Sequence, residues 1–64
     1  MIRIGKNITR LREQNNMTVK ELARKSRIFV RKLTAIEAGE KDFPVDLLIV
    51  FAKVLNASYK EILD

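Results

Sequence analysis

The sequence has no cysteine, no histidine and no tryptophan. Without cysteine there is no disulfide staple, and without histidine too the usual sulfur and nitrogen ligands of zinc are missing. The same absences remove two of the commonest nucleophiles and general bases. Only two glycines occur, Gly5 and Gly39, so no glycine-rich loop can cradle a phosphate. We therefore expect no enzymatic activity, no cofactor and no metal. The longest apolar run, residues 47–52, falls far short of the roughly 20 residues of a membrane span. The opening Met1-Ile2-Arg3-Ile4 is too short and too polar for a signal peptide. No membrane association is expected.

Acids are scarce in the front half. Between Lys20 and Lys32 there are six basic residues and one acid, Glu21. From Asp42 to the end, Lys53 and Lys60 face Asp42, Asp46, Glu61 and Asp64, so the back half is near neutral. The net charge is +5. A basic half and a neutral half suggest a face for a polyanion, although charge alone also fits a solvated basic surface.

What is present is helical. Sixty-four residues make one domain, 1–64, with a small core. Ile4, Ile8 and Leu11 share one face of a first helix over 3–15. Thr18 and Glu21 spell a capping box for a second helix over 18–25, with Met17 placed as a staple. Leu33 and Ile36 mark a third helix over 30–37, and Gly39 supplies its left-handed stop. Pro44 suits the start of a fourth helix running to 55, with Val45, Leu48, Ile49, Ala52 and Leu55 expected inward. Ser58 and Glu61 spell a second capping box for a short fifth helix. The expected fold is all-α, five short helices, with a helix-turn-helix unit over about 18–37.

These residues carry a resemblance. Leu11-Arg12, then Thr18 with Leu22-Ala23, then Ile36-Glu37-Ala38-Gly39, then Ala52 and Leu55 follow one pattern. It resembles the lambda-repressor-like helix-turn-helix domain of phage Cro and repressor proteins and of xenobiotic-response-element type regulators. Three positions depart from that family: Val19 stands where Gln is usual, Arg27 where Gly is usual, and Phe29 where a capping Ser or Thr is usual. Arg27 must then take a left-handed conformation or change the turn.

The resemblance implies a sequence-specific transcriptional regulator, cytoplasmic and of bacterial or phage origin. It would bind a double-stranded DNA operator with helix 30–37 in the major groove, as a homodimer or through an appended oligomerisation or effector domain. Repression and activation stay equally open. Val30, Arg31, Thr34 and Ala35 are the base-contact candidates. Arg31 is foremost, because a guanidinium meets a guanine edge at two points. Thr18, Arg24, Lys25, Arg27, Lys32 and Lys41 are the phosphate-contact candidates. Arg12 and Glu37 are expected to form a structural ion pair. Leu47 and Val50 stand where the family is usually polar, which suggests an interface; the alternative is a helix buried on more than one side. A second function also stays open: the same scaffold used as a protein-interaction module through Phe29, Val30 and Phe43.

Overall fold

The computed structural model describes residues 4–40 and 44–64. It contains α1 (Ile4–Gln14), α2 (Val19–Ser26), α3 (Val30–Glu37), α4 (Val45–Val54) and α5 (Tyr59–Leu63). No strand occurs among the described residues. The expected five-helix, all-α chain is what the structure shows. Lys41 and Phe43, named above for phosphate and protein contact, lie outside the described residues.

The helices form because each brings an apolar stripe to one centre. Ile8 and Leu11 come from α1, Leu22 and Ala23 from α2, Leu33 and Ile36 from α3. Leu47 and Phe51 on α4, Leu55 just beyond it, and Ile62 on α5 complete the core. α1 packs against α3 and α5, while α2 packs against α3 and α4. Two polar side chains tie α1 to the far end of the chain. Asn7 Nδ2 donates to the Ile62 carbonyl at 2.9 Å, and Asn15 Nδ2 donates to the Leu55 carbonyl at 3.1 Å. Each satisfies a carbonyl at a helix end that has no partner within its helix.

Both capping boxes form. The Glu21 amide donates to Thr18 Oγ1 and the Thr18 amide to Glu21 Oε1. Ser58 and Glu61 repeat the arrangement. The Glu61 carboxyl is held below the usual carboxylate range, first by the Ser58 backbone amide and then by the Ser58 side chain.

Helix ends are equally regular. After α1, α2, α3 and α4 the chain turns through one left-handed residue: Asn16, Arg27, Gly39 and Asn56. In each case the next amide reaches back five residues: Met17 to Arg12, Ile28 to Ala23, Glu40 to Ala35, Ala57 to Ala52. This double-bonded stop tolerates glycine best and asparagine next. Met17, Ile28 and Ala57 also pack on the core, which closes the turn from beneath.

Arg27 is the exception among the four. Its φ of 58° and ψ of 42° place a long β-carbon-bearing residue where L-residues are disfavoured. Arg27→Gly is therefore expected to raise stability by about 1 kcal/mol, read as a higher urea midpoint with an unchanged slope. A lower midpoint would mean that the arginine side chain holds the turn by a contact of its own.

α4 corrects an expectation. Val45 is 69% exposed and Ile49 39% exposed, whereas Leu47 is buried and Phe51 is fully buried. Leu48 and Ala52 pack partly against the core, and Leu55 is buried as expected. The inward face is centred on Leu47, Phe51 and Leu55, at i, i+4 and i+8. Leu47 is thus a core residue and not an interface residue. The helix is apolar on nearly every side, so periodicity alone does not choose between two neighbouring faces. The largest side chain, Phe51, takes the centre because it fills the most volume.

Candidate nucleic-acid interface

α2 and α3 are held together through Leu22 and Ala23 on one side and Leu33 and Ile36 on the other. With 3.6 residues per turn, burying Leu33 and Ile36 turns Arg31 and Ala35 to the opposite side of α3. Arg31, Lys32 and Thr34 are exposed, and Ala35 is partly exposed. Val30 is 42% exposed. Arg24, Lys25 and Arg27, at the end of α2 and in the turn, are exposed as well. Arg24, Lys25, Arg27, Arg31 and Lys32 thus lie on one unit, the paired α2 and α3, and face water.

None of these cations is in an ion pair among the described residues. Among the described residues the one ion pair is Arg12–Glu37, on the other side of α3. The first turn of α3 carries no acid, and its N-cap residue, Phe29, makes no side-chain hydrogen bond. The amides of that turn therefore keep their partial positive charge at the front of the helix. Thr18 is exposed at the start of α2, but its amide is already donated to Glu21 Oε1. Its hydroxyl accepts from the Glu21 amide and retains one proton to donate.

The frame behind α3 is polar and tight. Arg12 Nε donates to Glu37 Oε2 at 2.9 Å, and an Arg12 Nη donates to Glu37 Oε1 at 3.3 Å. Thr9 Oγ1 donates to Glu37 Oε1 at 3.0 Å, and a second Arg12 Nη donates to the Met17 carbonyl. One carboxylate at the end of α3 is thus gripped by two residues of α1. Gly5 lets the helices come this close. A β-carbon there would sit 2.5 Å from the Glu37 carbonyl oxygen and 2.6 Å from that of Ile36. In the sequence Gly5 is only one of two isolated glycines, and no local pattern points to Thr9 as a partner of Glu37.

Phe29 stands apart. It neither caps α3 nor packs, being 81% exposed immediately before Val30. Among the described residues the remaining large exposed apolar side chains are Val45 and Ile49 on α4 and Tyr59 on α5. A shallow groove between α4 and α5 is lined by Ile49, Ala52, Lys53, Ala57, Ser58 and Tyr59. No described helix is long and apolar enough to cross a membrane.

The backbone is that of known regulators. It matches the DNA-bound crystal structure of SinR, the master regulator for biofilm formation, at 29% identity and a TM-score of 0.87, covering 95% of this chain and 98% of that one. It matches the clp gene regulator ClgR from Corynebacterium glutamicum at 29% identity and a TM-score of 0.87, covering 92% of this chain. This chain spans 63% of the ClgR chain. The restriction-modification controller protein C.AhdI from Aeromonas hydrophila shares the fold at 18% identity and a TM-score of 0.89, covering 95% of this chain and 92% of that one. No curated protein sequence matches the chain. The family model described as "Helix-turn-helix domain" matches residues 3–62. With its five helices, its capped α2 and its outward-facing α3, the chain belongs to the helix-turn-helix domain family, among the Cro/repressor and xenobiotic-response-element type regulators.

Proposed function

We propose that this chain binds operator DNA as a transcriptional regulator, laying α3 in the major groove. The observation that carries the reading is the exposed row of cations across α2 and α3, none of them ion-paired among the described residues, on the scaffold that SinR uses in its complex with DNA. Arg31 projects from the first turn of α3, where helix-turn-helix proteins meet base edges. Val30, Thr34 and Ala35 flank it. Arg24, Lys25, Arg27 and Lys32 surround it and fit the phosphates on either side. Thr18 offers its hydroxyl proton to a phosphate near the start of α2.

Two half-sites about 34–36 Å apart would need a second copy of the chain or an appended domain. Among the described residues the large exposed apolar side chains available for such pairing are Val45, Ile49 and Tyr59.

The test is a salt titration on duplexes selected from a random pool. Neutralising about three to five phosphates per chain gives a log–log slope of about −3 to −5. Lys32→Ala is expected to shallow that slope by about 1 and to weaken all sequences alike. Arg31→Ala is expected to cost about 1–3 kcal/mol at one base pair and to relax preference there. If both variants keep wild-type affinity and slope, the reading fails. The module reading, in which Phe29, Val30 and Phe43 hold a protein, then takes its place.

A further inference from the structure

We infer that Phe29 and Val30 together read the 5-methyl group of a thymine, so that operators of this chain carry a thymine next to the base pair that Arg31 contacts. The inference rests on the DNA-binding reading above and adds a specificity that the scaffold alone does not supply.

Phe29 occupies the N-cap of α3, a position that ordinarily holds a side-chain oxygen. Its φ of −68° and ψ of 146° are those of an ordinary N-cap, yet it makes no cap hydrogen bond. It does not pack either, since 81% of it faces solvent. An aromatic ring that serves neither the helix end nor the core has no role in the fold. Its place is the front edge of the helix, and Val30, the next residue, is also exposed at 42%. Together they form an apolar tip in a surface rich in cations. Arg27 lies two residues before Phe29 and Arg31 two residues after. A phosphate contact by Arg27 and a base contact by Arg31 would draw the tip to the groove floor.

The major groove offers few apolar features. Guanine, adenine and cytosine edges present only hydrogen-bond donors and acceptors there, whereas thymine adds a methyl group. A ring and a branched aliphatic side chain with no hydrogen-bonding group fit that methyl and repel unpaired polar edges. Among the described residues the other large exposed apolar side chains, Val45, Ile49 and Tyr59, belong to α4 and α5 and not to the α2–α3 unit. A protein partner for the tip would have to tolerate the six basic residues between Lys20 and Lys32. DNA is attracted by the same charges.

The experiment uses duplexes selected by the wild-type chain. Each thymine is replaced singly by deoxyuridine, which removes one methyl group and nothing else. The expected result is one position per half-site where the wild type loses about 3- to 5-fold in affinity, the size of one methyl's burial. In Phe29→Thr that ratio falls to about 1. Threonine is a good N-cap, so the variant folds at least as well, and the ratio is independent of its overall affinity. Three results overturn the inference. Uniform tolerance of deoxyuridine with a normal salt slope removes methyl reading and leaves DNA binding standing. A deoxyuridine effect that persists in Phe29→Thr assigns the methyl to another side chain. A wild-type chain that binds no duplex at any salt concentration removes both this inference and the function beneath it.

Discussion

Gly5→Ala is expected to destabilise the chain by about 1–3 kcal/mol, a large share of the roughly 3–5 kcal/mol available to a core this small. Helix propensity argues for the opposite sign, since alanine is favoured over glycine by about 1 kcal/mol inside a helix. Contact geometry overrules it. The added β-carbon would lie 2.5 Å and 2.6 Å from two carbonyl oxygens and 2.9 Å from a carbonyl carbon, all on the last residues of α3. These atoms are backbone and cannot rotate away as a side chain would. α1 must therefore lift from α3, which stretches the hydrogen bonds from Thr9 and Arg12 to Glu37. Gly39 is the opposite case: a β-carbon there meets nothing within 4 Å, and its glycine answers to a φ of 80° alone. Urea unfolding followed by circular dichroism measures the effect, with Lys6→Ala in the same turn as an exposed control. A Gly5→Ala chain as stable as the wild type would mean that the close approach of α1 to α3 is not required.

The contrast between the two glycines shows what a sequence makes visible. Gly39 was legible because its reason is local: a helix pattern stops, and a left-handed residue must follow. The capping boxes at Thr18 and Ser58 were legible for the same reason, each needing only a residue three positions away. Gly5, Thr9, Asn7 and Asn15 were not, because their partners are 25 or more residues distant and no local pattern names them. α4 sits between these cases. Its apolar content hid the buried face, but its two charges marked the outer one. Asp46, Ile49 and Lys53 fall at i, i+3 and i+7, so one face carries both charges, and all three are exposed. Weighing charge before hydrophobicity would have placed Leu47 and Phe51 inside. On α3 the alternation of Leu33 and Ile36 with Arg31, Lys32 and Thr34 was unambiguous, and the outward placement of those three follows from it.

Glu37→Ala is expected to cost about 2–4 kcal/mol, a little under the loss for breaking a fully buried pair. The discount reflects water: the Arg12 and Glu37 side chains are 13% and 11% exposed. Removing the carboxylate strands a guanidinium whose remaining acceptor is the Met17 carbonyl. The single hydroxyl proton of Thr9, which has both Glu37 Oε1 and the Gly5 carbonyl within reach, is then left to the Gly5 carbonyl alone. Arg12→Ala strands the other charge, but Glu37 keeps the Thr9 hydroxyl, so its penalty should be of the same order. The double variant Arg12→Met with Glu37→Leu is expected to be more stable than either single variant, because no buried charge is then left alone. The pair lies on the side of α3 away from the cations, yet it sets how α3 stands on α1. Glu37→Ala should therefore weaken duplex binding and stability together. Lys32→Ala should weaken binding while stability stays within about 0.5 kcal/mol of wild type. Single variants that unfold at the wild-type urea midpoint would show that the bridge holds nothing in place.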